Sequence, residues 1–364
     1  MKILLTSESY WPNKDGGAVF ERRLVRQMVA AGHDVVVVAP GARPRGYIEF
    51  DDDVKIYRTP SLPLPLNRDN YRISYTAKSA MRRAIDDHNP DIIHVHTMAL
   101  TGLAALRLAK KRGITIVATN HLMPENVLMS LPKSIRDSER TQRIFWRRIV
   151  KFHNKFAAVA SPTKTATNLL ADNGLTRPLF DITNGVNTDY YRPSDDSVAA
   201  TKDKRLARFD FPHKKYVLYL GRVNAEKRLD LLIDGYKLAH DSDKNLGLVI
   251  AGTGNRLEHL KEQCRRLGIE KDVLFTGFVS DEEKLALYQR ALNYAITSPA
   301  ELQSIASLEA MACGKPIVAV DAIALAELCH DGKNGFLIPF GDVHALADAL
   351  LKISQNVTLR KKFG

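Results

Sequence analysis

The strongest constraint on the fold is an alternation of short apolar runs with longer amphipathic segments. In the first half, the segment AVFERRLVRQMVAAGH has helical periodicity and is followed by further helical stretches between apolar runs. Strand, helix and strand in succession predict βαβ units and a parallel sheet. The predicted strands are KILLTS (2–7), DVVVVAP (34–40), DIIHVHT (91–97), ITIVATN (114–120) and AAVASP (157–162).

The second half repeats this plan after a polar, turn-rich join, NGVNTDYYRPSDDSVAATKDK (184–204). A chain of 364 residues exceeds the usual size of one domain, so we predict two doubly wound α/β domains, 1–190 and 191–364. Two such sheets facing each other would form a central cleft at the carboxyl ends of their strands, where ligands of this architecture bind. The predicted strands here are YVLYLGR (216–222), LGLVIAG (246–252), VLFTGF (273–278), YAITSP (294–299) and PIVAV (316–320).

Cysteine usage and hydropathy favour an intracellular protein. Cys264, Cys313 and Cys329 have no Cys-x-x-Cys spacing, which is typical of buried free thiols in a reducing compartment. The apolar run at the N-terminus is too short for a secretion signal, and no stretch approaches 18 apolar residues. We therefore expect a cytoplasmic protein or one that rests on a membrane surface. The chain ends at LRKKFG directly after a predicted helix (342–354), as a shortened chain would.

The positive charge is concentrated in the first half. The net charge is +12, and residues 1–190 hold 28 basic and 18 acidic residues, against 25 and 23 in the remainder. The first half is thus the part expected to meet an anionic partner. Nucleic acid is one alternative at a pI of about 9.5, but the sequence has no recognition-helix motif and no interleaving of aromatic and basic residues on a strand.

Three glycine turns and two cations could bind phosphate. Gly16 and Gly17 precede a predicted helix, and either a plain turn or a phosphate contact fits them. The second half has glycine turns after two strands, at Gly221 and Gly252. Arg222 and Lys227 follow the first of these turns; they could hold a diphosphate or be solvated charges.

The stretch SPAELQSIASLEAMACGKPIVAV (298–320) places Glu301 in a predicted loop and Glu309 in a predicted helix. The two carboxylates could be a catalytic acid/base pair, two sugar-binding groups or solvated charges. The apolar neighbours of Glu309 weigh against a solvated charge. The predicted helix start near Ser304 and Ile305 supplies free N–H groups beside Glu301.

Together these elements resemble the retaining GT-B glycosyltransferases of family 4, over essentially the whole chain. The shared features are the two glutamates before EAMACGKPIV, the Arg222/Lys227 pair, the glycine pair after the first strand, and NGVN at the domain join. The resemblance implies the GT-B fold, with two Rossmann-like domains facing a cleft. The family usually has a glycine where this chain has Ile305 or Ala306.

The resemblance also implies roles for individual residues. Arg222 and Lys227 would hold the diphosphate of a nucleotide sugar without a metal ion or other cofactor. Glu309 would bind the ribose, and Glu301 the transferred sugar. Further contacts to the donor would come from Gly16, Gly17, Gly221, Gly252, Ser304 and Ile305, and from the backbone of Phe278 and Val279 beside the base.

His121, at the end of a predicted strand in the first domain, matches the family's histidine that contacts the sugar or acceptor. It could instead be a histidine of the core at the end of a strand. His96 is a weaker candidate for the same region, and His94 weaker still.

The acceptor is expected to meet the first domain. Residues 133–155 carry eight basic and two acidic side chains around an apolar stripe of Phe145, Ile149, Phe152 and Phe156. The cations, among them Arg140, Arg143, Arg147, Arg148 and Lys151, could dock on an anionic membrane while the stripe packs on the sheet.

HLMPEN (121–126) and the segment after it resemble enzymes that glycosylate membrane lipids. UDP-glucose and diacylglycerol are therefore the favoured substrates, at the inner face of the cell membrane. The alternatives are GDP-mannose with phosphatidylinositol, a soluble or polyprenyl-linked saccharide acceptor, and a sugar-nucleotide 2-epimerase.

Overall fold

The computed structural model divides into two compact units, Met1–Thr183 and Asn184–Gly364. The residues that it describes are 1–13, 16–63, 72–124, 128, 138–194, 203–213 and 215–364.

The described strands of the first unit form a sheet in the order β10-β9-β8-β7-β1-β2-β4-β3, parallel except for β3. Its strands are β1 (Lys2–Thr6), β2 (Asp34–Pro40), β3 (Tyr47–Asp51), β4 (Val54–Thr59), β7 (Ile92–Val95), β8 (Thr115–Thr119), β9 (Val159–Ser161) and β10 (Leu179–Asp181). A separate hairpin pairs β5 (Ser61–Pro63) with β6 (Arg72–Ser74). The helices are α1 (Gly16–Ala30), α2 (Lys78–His88), α3 (Leu100–Arg112), α4 (Glu139–His153) and α5 (Lys164–Asp172).

The second unit has a parallel sheet in the order β13-β12-β11-β14-β15-β16. Its strands are β11 (Lys215–Leu220), β12 (Leu246–Ala251), β13 (Val273–Gly277), β14 (Asn293–Ile296), β15 (Ile317–Val320) and β16 (Gly335–Ile338). The helices are α6 (Leu229–Ser242), α7 (Leu257–Arg266), α8 (Asp281–Arg290), α9 (Ile305–Ala312), α10 (Leu325–Leu328), α11 (Val343–Gln355) and α12 (Val357–Phe363).

In each unit, the strand order reverses once, next to the strand that comes first in the sequence. β1 lies between β2 and β7, and β11 lies between β12 and β14. Loops leaving neighbouring strands on either side of a reversal part in opposite directions and open a crevice at the carboxyl ends. Ligand-binding residues are therefore expected just after β1 and β7, and just after β11 and β14.

The predicted strands and helices are confirmed. The strands could be predicted because buried strands of a parallel sheet are continuous apolar runs. The burial pattern of β12 is an example, since all six of its residues are buried. The sequence analysis did not predict the β3–β4 pair or the β5–β6 hairpin, which lie at the edge of the first sheet or apart from it. Edge strands have mixed polarity and carry a weaker periodic signal.

The three cysteines are free and buried, as expected. Within the part of the chain that the structure describes, no helix is long and apolar enough to cross a membrane. Part of the polar join, residues 195–202, lies outside the described residues.

Candidate active site

The loop after β11 in the second unit is held by hydroxyl groups that follow β14. Thr297 Oγ1 donates to the carbonyl oxygens of Lys227 at 3.1 Å and Arg228 at 2.9 Å. Ser298 Oγ donates to the carbonyl oxygen of Glu226 at 3.2 Å. Since these bonds fix the 3₁₀ turn Ala225–Lys227 on the end of β14, the side chain of Lys227 projects from a defined backbone position.

The two glycine turns of this unit touch each other through their backbones. Gly252 has a φ of +142°, and a Cβ atom built there would lie 1.9 Å from the carbonyl oxygen of Gly221. The amide of Gly221 in turn donates to the carbonyl of Ala251 at 3.0 Å. No side chain fits at position 252, so the ends of β11 and β12 present bare backbone at the crevice.

Both candidate phosphate-binding cations have carboxylate partners. Lys227 Nζ donates to Glu301 Oε1 at 2.6 Å, and only 15% and 13% of these two side chains are exposed. Arg222 is about half exposed, and its Nη2 lies 3.4 Å from Glu226 Oε1. The alternative that these cations are merely solvated is therefore wrong for Lys227.

Glu309 is buried in α9, with 3% of the residue exposed. The Tyr288 hydroxyl donates to its Oε2 at 3.1 Å, and Lys284 Nζ lies 3.6 Å from its Oε1. Burial raises the pKa of Tyr288 well above its ordinary value, and the charge of Glu309 adds to this. Tyr288 therefore stays protonated and remains a hydrogen-bond donor.

The two glutamates thus have separate environments, and neither is a solvated surface charge. Glu301 lies in the loop after β14 and is paired with Lys227. Glu309 lies inside a helix and is held by groups of α8.

The N-terminus of α9 lies between the two glutamates in sequence. Ser304 caps the helix, since its Oγ accepts from the amide of Ser307 at 3.1 Å. The amides of Ile305 and Ala306 lie in the first turn, where no intrahelical acceptor exists. The first turn therefore has amides to offer a ligand, whether or not position 305 or 306 is glycine.

The predicted base-binding backbone lies in the loop between β13 and α8. Phe278 is exposed, and its carbonyl oxygen accepts from Arg208 Nη2 at 2.9 Å. Arg208 also pairs with Glu283, which forms a capping box with Ser280. Val279 packs partly buried against the core. These bonds hold the loop in one conformation, with the Phe278 carbonyl already engaged by protein.

In the first unit, α1 begins at Gly16, so the glycine pair forms the start of the helix rather than preceding it. A Cβ atom at Gly16 would meet nothing within 4 Å. Packing within the described residues does not require glycine at position 16.

Three histidines gather at the carboxyl ends of β7 and β8. His96 Nδ1 and His121 Nε2 are 3.1 Å apart, and the two rings are stacked. His94 Nε2 lies 2.8 Å from Thr119 Oγ1. The ring of Phe20, from α1, meets His121 edge-on at 5.0 Å between centroids. The structure brings His121 and His96 into direct contact, which the sequence did not predict.

These rings are neutral at neutral pH. Burial lowers the pKa of His94 and of His121 to about 4. Burial, with the neighbouring rings of His94 and His121, lowers the pKa of His96 well below its ordinary value. His121 is therefore available as a hydrogen-bonding group and not as a cation.

The far side of His96 is also buried. Its Nε2 has no hydrogen-bond partner among the described residues. Either His96 Nδ1 or His121 Nε2 carries the proton of their contact, and the distance of 3.1 Å fits both tautomers.

The basic segment forms α4, and its two faces differ as predicted. Ile149, Phe152 and Phe156 are buried in the core, while Phe145 is partly buried. The opposite face carries exposed cations that form no ion pair within the described residues, with Ile144 exposed among them: Arg140, Arg143, Arg147, Arg148 and Lys151. Lys133 and Arg136, of the same basic segment, lie outside the described residues.

Sequence reasoning missed several residues that shape the site. Lys284 and Tyr288 hold Glu309, Arg208 holds the Phe278 loop, and Thr297 holds the Lys227 turn. Glu226 alone had a local signal, because it lies four positions after Arg222. The others are brought in by tertiary packing.

Two family models match the chain. The model described as Glycosyltransferase Family 4 matches residues 14–190, and the one described as Glycosyl transferases group 1 matches residues 202–364.

Curated relatives match over nearly the whole chain. The alpha-monoglucosyldiacylglycerol synthase of Streptococcus pneumoniae is 27% identical, covering 97% of this chain and 78% of that protein. The phosphatidyl-myo-inositol mannosyltransferase of Mycobacterium leprae is 28% identical, covering 94% and 84%. The GDP-mannose-dependent alpha-mannosyltransferase of Corynebacterium glutamicum is 27% identical, covering 94% and 78%. The epimerase alternative gains no support from these relatives.

Solved structures share the fold. Sucrose-phosphate synthase from Thermosynechococcus elongatus superposes with a TM-score of 0.78 at 18% identity, covering 100% of this chain and 92% of that one. Anabaena HepE in complex with UDP-glucose gives 0.75 at 20% identity, with the same coverage. The predicted GT-B fold is confirmed.

Proposed function

The chain belongs to the glycosyltransferases that join a Family 4 domain to a group 1 domain, and from this premise we propose that it is a retaining enzyme acting on a membrane lipid. It is a hexosyltransferase that uses a nucleotide sugar. The proposal names UDP-glucose as the donor and a diacylglycerol lipid as the acceptor.

The observation that carries the donor side is the arrangement after β11 and β14. Lys227 and Glu301 are in contact there, and the buried Glu309 lies in the helix that follows. We expect Arg222 and Lys227 to bind the diphosphate, Glu309 the ribose hydroxyls and Glu301 the hydroxyls of the hexose. Because Gly221 and Gly252 carry no side chains, the phosphates can approach the backbone of these two turns closely.

The chemistry expected is electrostatic. When the bond between the sugar and the diphosphate breaks, negative charge grows on the leaving phosphate oxygen. Fixed cations stabilise such charge without reorganising. The proposed acceptor hydroxyl attacks from the leaving-group face, which retains the anomeric configuration, and its proton passes to the departing phosphate oxygen. This route requires no metal ion, so turnover should survive an excess of EDTA.

For the first unit, we propose that His121 donates its Nδ1–H to a hydroxyl of the sugar or acceptor. The lowered pKa makes the ring a weak base, and the contact with His96 engages its Nε2 atom, which supports a donor role at Nδ1 rather than that of a general base. Gly16 and Gly17, at the start of α1, are proposed to approach the phosphates.

The acceptor side of the proposal is supported by α4 and by the relatives. The exposed cationic face of α4 could bind anionic head groups, with Ile144 among them. Each basic residue near an anionic surface contributes about 1 kcal/mol. The names of two relatives cited above include a lipid. We accordingly place the protein at the inner face of the cell membrane, bound peripherally.

The donor and acceptor are tested by a transfer screen. The purified protein is incubated with UDP-glucose, UDP-galactose or GDP-mannose, each with diacylglycerol, phosphatidylinositol or no acceptor, and the products are identified by mass spectrometry and by the anomeric coupling of the new bond. An α-glucosyl lipid from UDP-glucose is the expected product.

Other products would redirect the proposal. A mannosyl lipid from GDP-mannose would establish the second candidate, which two GDP-mannose-dependent or mannosyl-transferring relatives favour. An inverted linkage would refute retention. Release of an epimerised nucleotide sugar without acceptor would refute transfer.

Membrane docking is tested by flotation with vesicles of phosphatidylcholine, with or without phosphatidylglycerol. Replacing Arg143, Arg147 and Lys151 of α4 by Gln should weaken binding to anionic vesicles by roughly 100-fold, at about 1 kcal/mol per cation. The matched control replaces three exposed cations of α3 instead: Arg107, Lys110 and Lys111. Equal losses in both triple variants would show that α4 has no special role.

A further inference from the structure

The contact between Lys227 and Glu301 has a consequence for which ligand the site prefers. Lys227 Nζ and Glu301 Oε1 are 2.6 Å apart, and both side chains are largely buried. The pair is long-range in sequence, and it joins the loop after β11 to the loop after β14. The cation assigned to the diphosphate is thus paired with the carboxylate assigned to the hexose.

A bare nucleoside diphosphate would therefore meet an unfavourable arrangement. Its phosphates carry negative charge toward Lys227, where the nearest charge is another anion, Glu301. Little water reaches the pair to screen that repulsion, since each side chain is less than one-sixth exposed. The diphosphate must either displace the carboxylate from Lys227 or bind beside it.

A nucleotide sugar carries a hexose that the bare nucleotide lacks. The hydroxyl groups of its hexose are hydrogen-bond donors, which a carboxylate accepts well. Once Glu301 accepts from these hydroxyls, Lys227 is released for the diphosphate without leaving a buried carboxylate unpaired.

We propose that Glu301 discriminates between the nucleotide sugar and the free nucleoside diphosphate, by competing for Lys227 until sugar hydroxyls occupy it. This inference rests on the proposed function and deepens it. It assigns Glu301 a role in limiting product inhibition, in addition to its contact with the hexose.

Glu309 provides an internal contrast, because its partners are different. It is held by the neutral hydroxyl of Tyr288 and by Lys284, and neither of these groups is assigned to the phosphates. Loss of its charge should remove a ribose contact without freeing Lys227. The two glutamates, eight positions apart, should thus change nucleotide affinity in opposite directions.

The test is calorimetry of the full chain with UDP, GDP, UDP-glucose and GDP-mannose. In Glu301→Gln, the Kd for the nucleoside diphosphate that the unmodified protein binds should fall about tenfold, because an anion beside the diphosphate is removed. The preference for the matching nucleotide sugar over the free diphosphate should shrink. In Glu309→Gln, both ligands should bind more weakly.

The matched control is Asp230→Asn. Asp230 pairs with Arg228, next to Lys227 in sequence, at 3.0 Å, and both partners are about one-third exposed. Like Glu301→Gln, Asp230→Asn removes one negative charge, here from a residue close to Lys227 in sequence, and it should leave both Kd values unchanged. If Glu301→Gln does not fold, Glu301→Asp draws the carboxylate back from Nζ and should act in the same direction, less strongly.

The outcomes separate this inference from the function on which it rests. No binding of either nucleotide to the unmodified protein would overturn both. Nucleotide binding that Glu301→Gln or Glu301→Asp weakens or leaves unchanged would overturn this inference alone. An equal gain in Asp230→Asn would show a general effect of charge and would also overturn it.

Discussion

Lys227 and Arg222 have different surroundings, although both are assigned to the same diphosphate. Lys227 is largely buried and paired at 2.6 Å, whereas Arg222 is about half exposed and 3.4 Å from its partner. Lys227 is therefore the more firmly placed of the two. The sequence indicated both by type and spacing but could not rank them, because the ranking depends on burial and partners supplied by distant residues.

Replacing either cation by Met should lower kcat by about 10²- to 10³-fold, the usual loss when one group that stabilises developing charge is removed. Steady-state transfer assays with saturating donor measure this. Arg228→Met is the matched control, since its guanidinium pairs with Asp230, and it should keep normal turnover. Normal turnover in Lys227→Met would contradict the assignment of the phosphate-binding cations.

Substitutions of the two glutamates should affect different kinetic parameters. Glu309→Ala should mainly raise the KM for the donor, because the ribose contact is made in the ground state as well as the transition state. Glu301→Ala should lower kcat more, because its contact is with the sugar that reacts. Donor-saturation curves for the two variants measure the difference. Equal losses confined to kcat would restore the hypothesis of an acid/base pair.

Among the structural elements, the strands were the most predictable and the turns between them the least. The strand DVVVVAP was predicted with the same bounds that the structure shows, because a buried parallel strand needs apolar residues throughout. The glycine turns were predicted as phosphate-binding candidates from composition. That the turns at Gly221 and Gly252 touch each other was not predictable, since it depends on the register of β11 with β12.

The contact between these turns makes Gly252→Ala a test at the level of the element. The added methyl group would overlap the Gly221 carbonyl, so the turns should separate and donor binding should be lost. Gly268→Ala is the control: its φ is also positive, +68°, but a Cβ atom there meets nothing within 4 Å. Calorimetry with nucleotide should show binding lost only in Gly252→Ala. Binding that survives in Gly252→Ala would mean that the turns tolerate a side chain.

At the scale of the whole molecule, the two units should respond differently to acid. His94, His96, His121 and His153 all lie in the first unit, and burial lowers the pKa of each. The unfolded chain binds protons on these rings below about pH 6.5, whereas folded His94 and His121 resist protonation until about pH 4. The free energy of unfolding of the first unit should therefore fall as the pH drops from 6.5 to 4.

Within this window, each ring should lower the free energy of unfolding by on the order of 1 kcal/mol for each pH unit of acidification. Above pH 6.5 the rings should have no such effect. Both tryptophans, Trp11 and Trp146, lie in the first unit, so urea unfolding followed by tryptophan fluorescence reports on that unit alone. In His94→Gln, the free energy of unfolding should change less with pH in this window. A first unit whose stability is flat between pH 6.5 and 4 would contradict the neutral, buried state of these rings.

The sequence by itself determined the two α/β units, their main strands and helices, and the residue types of a glycosyltransferase. Periodicity and turn residues act over a few neighbours along the chain, so these features can be read locally. Only the tertiary structure decided which side chains meet. Lys227 pairs with Glu301, Lys284 and Tyr288 hold Glu309, and His96 contacts His121. These partners are far apart in sequence, and their contacts follow from strand order and packing, which no local pattern records.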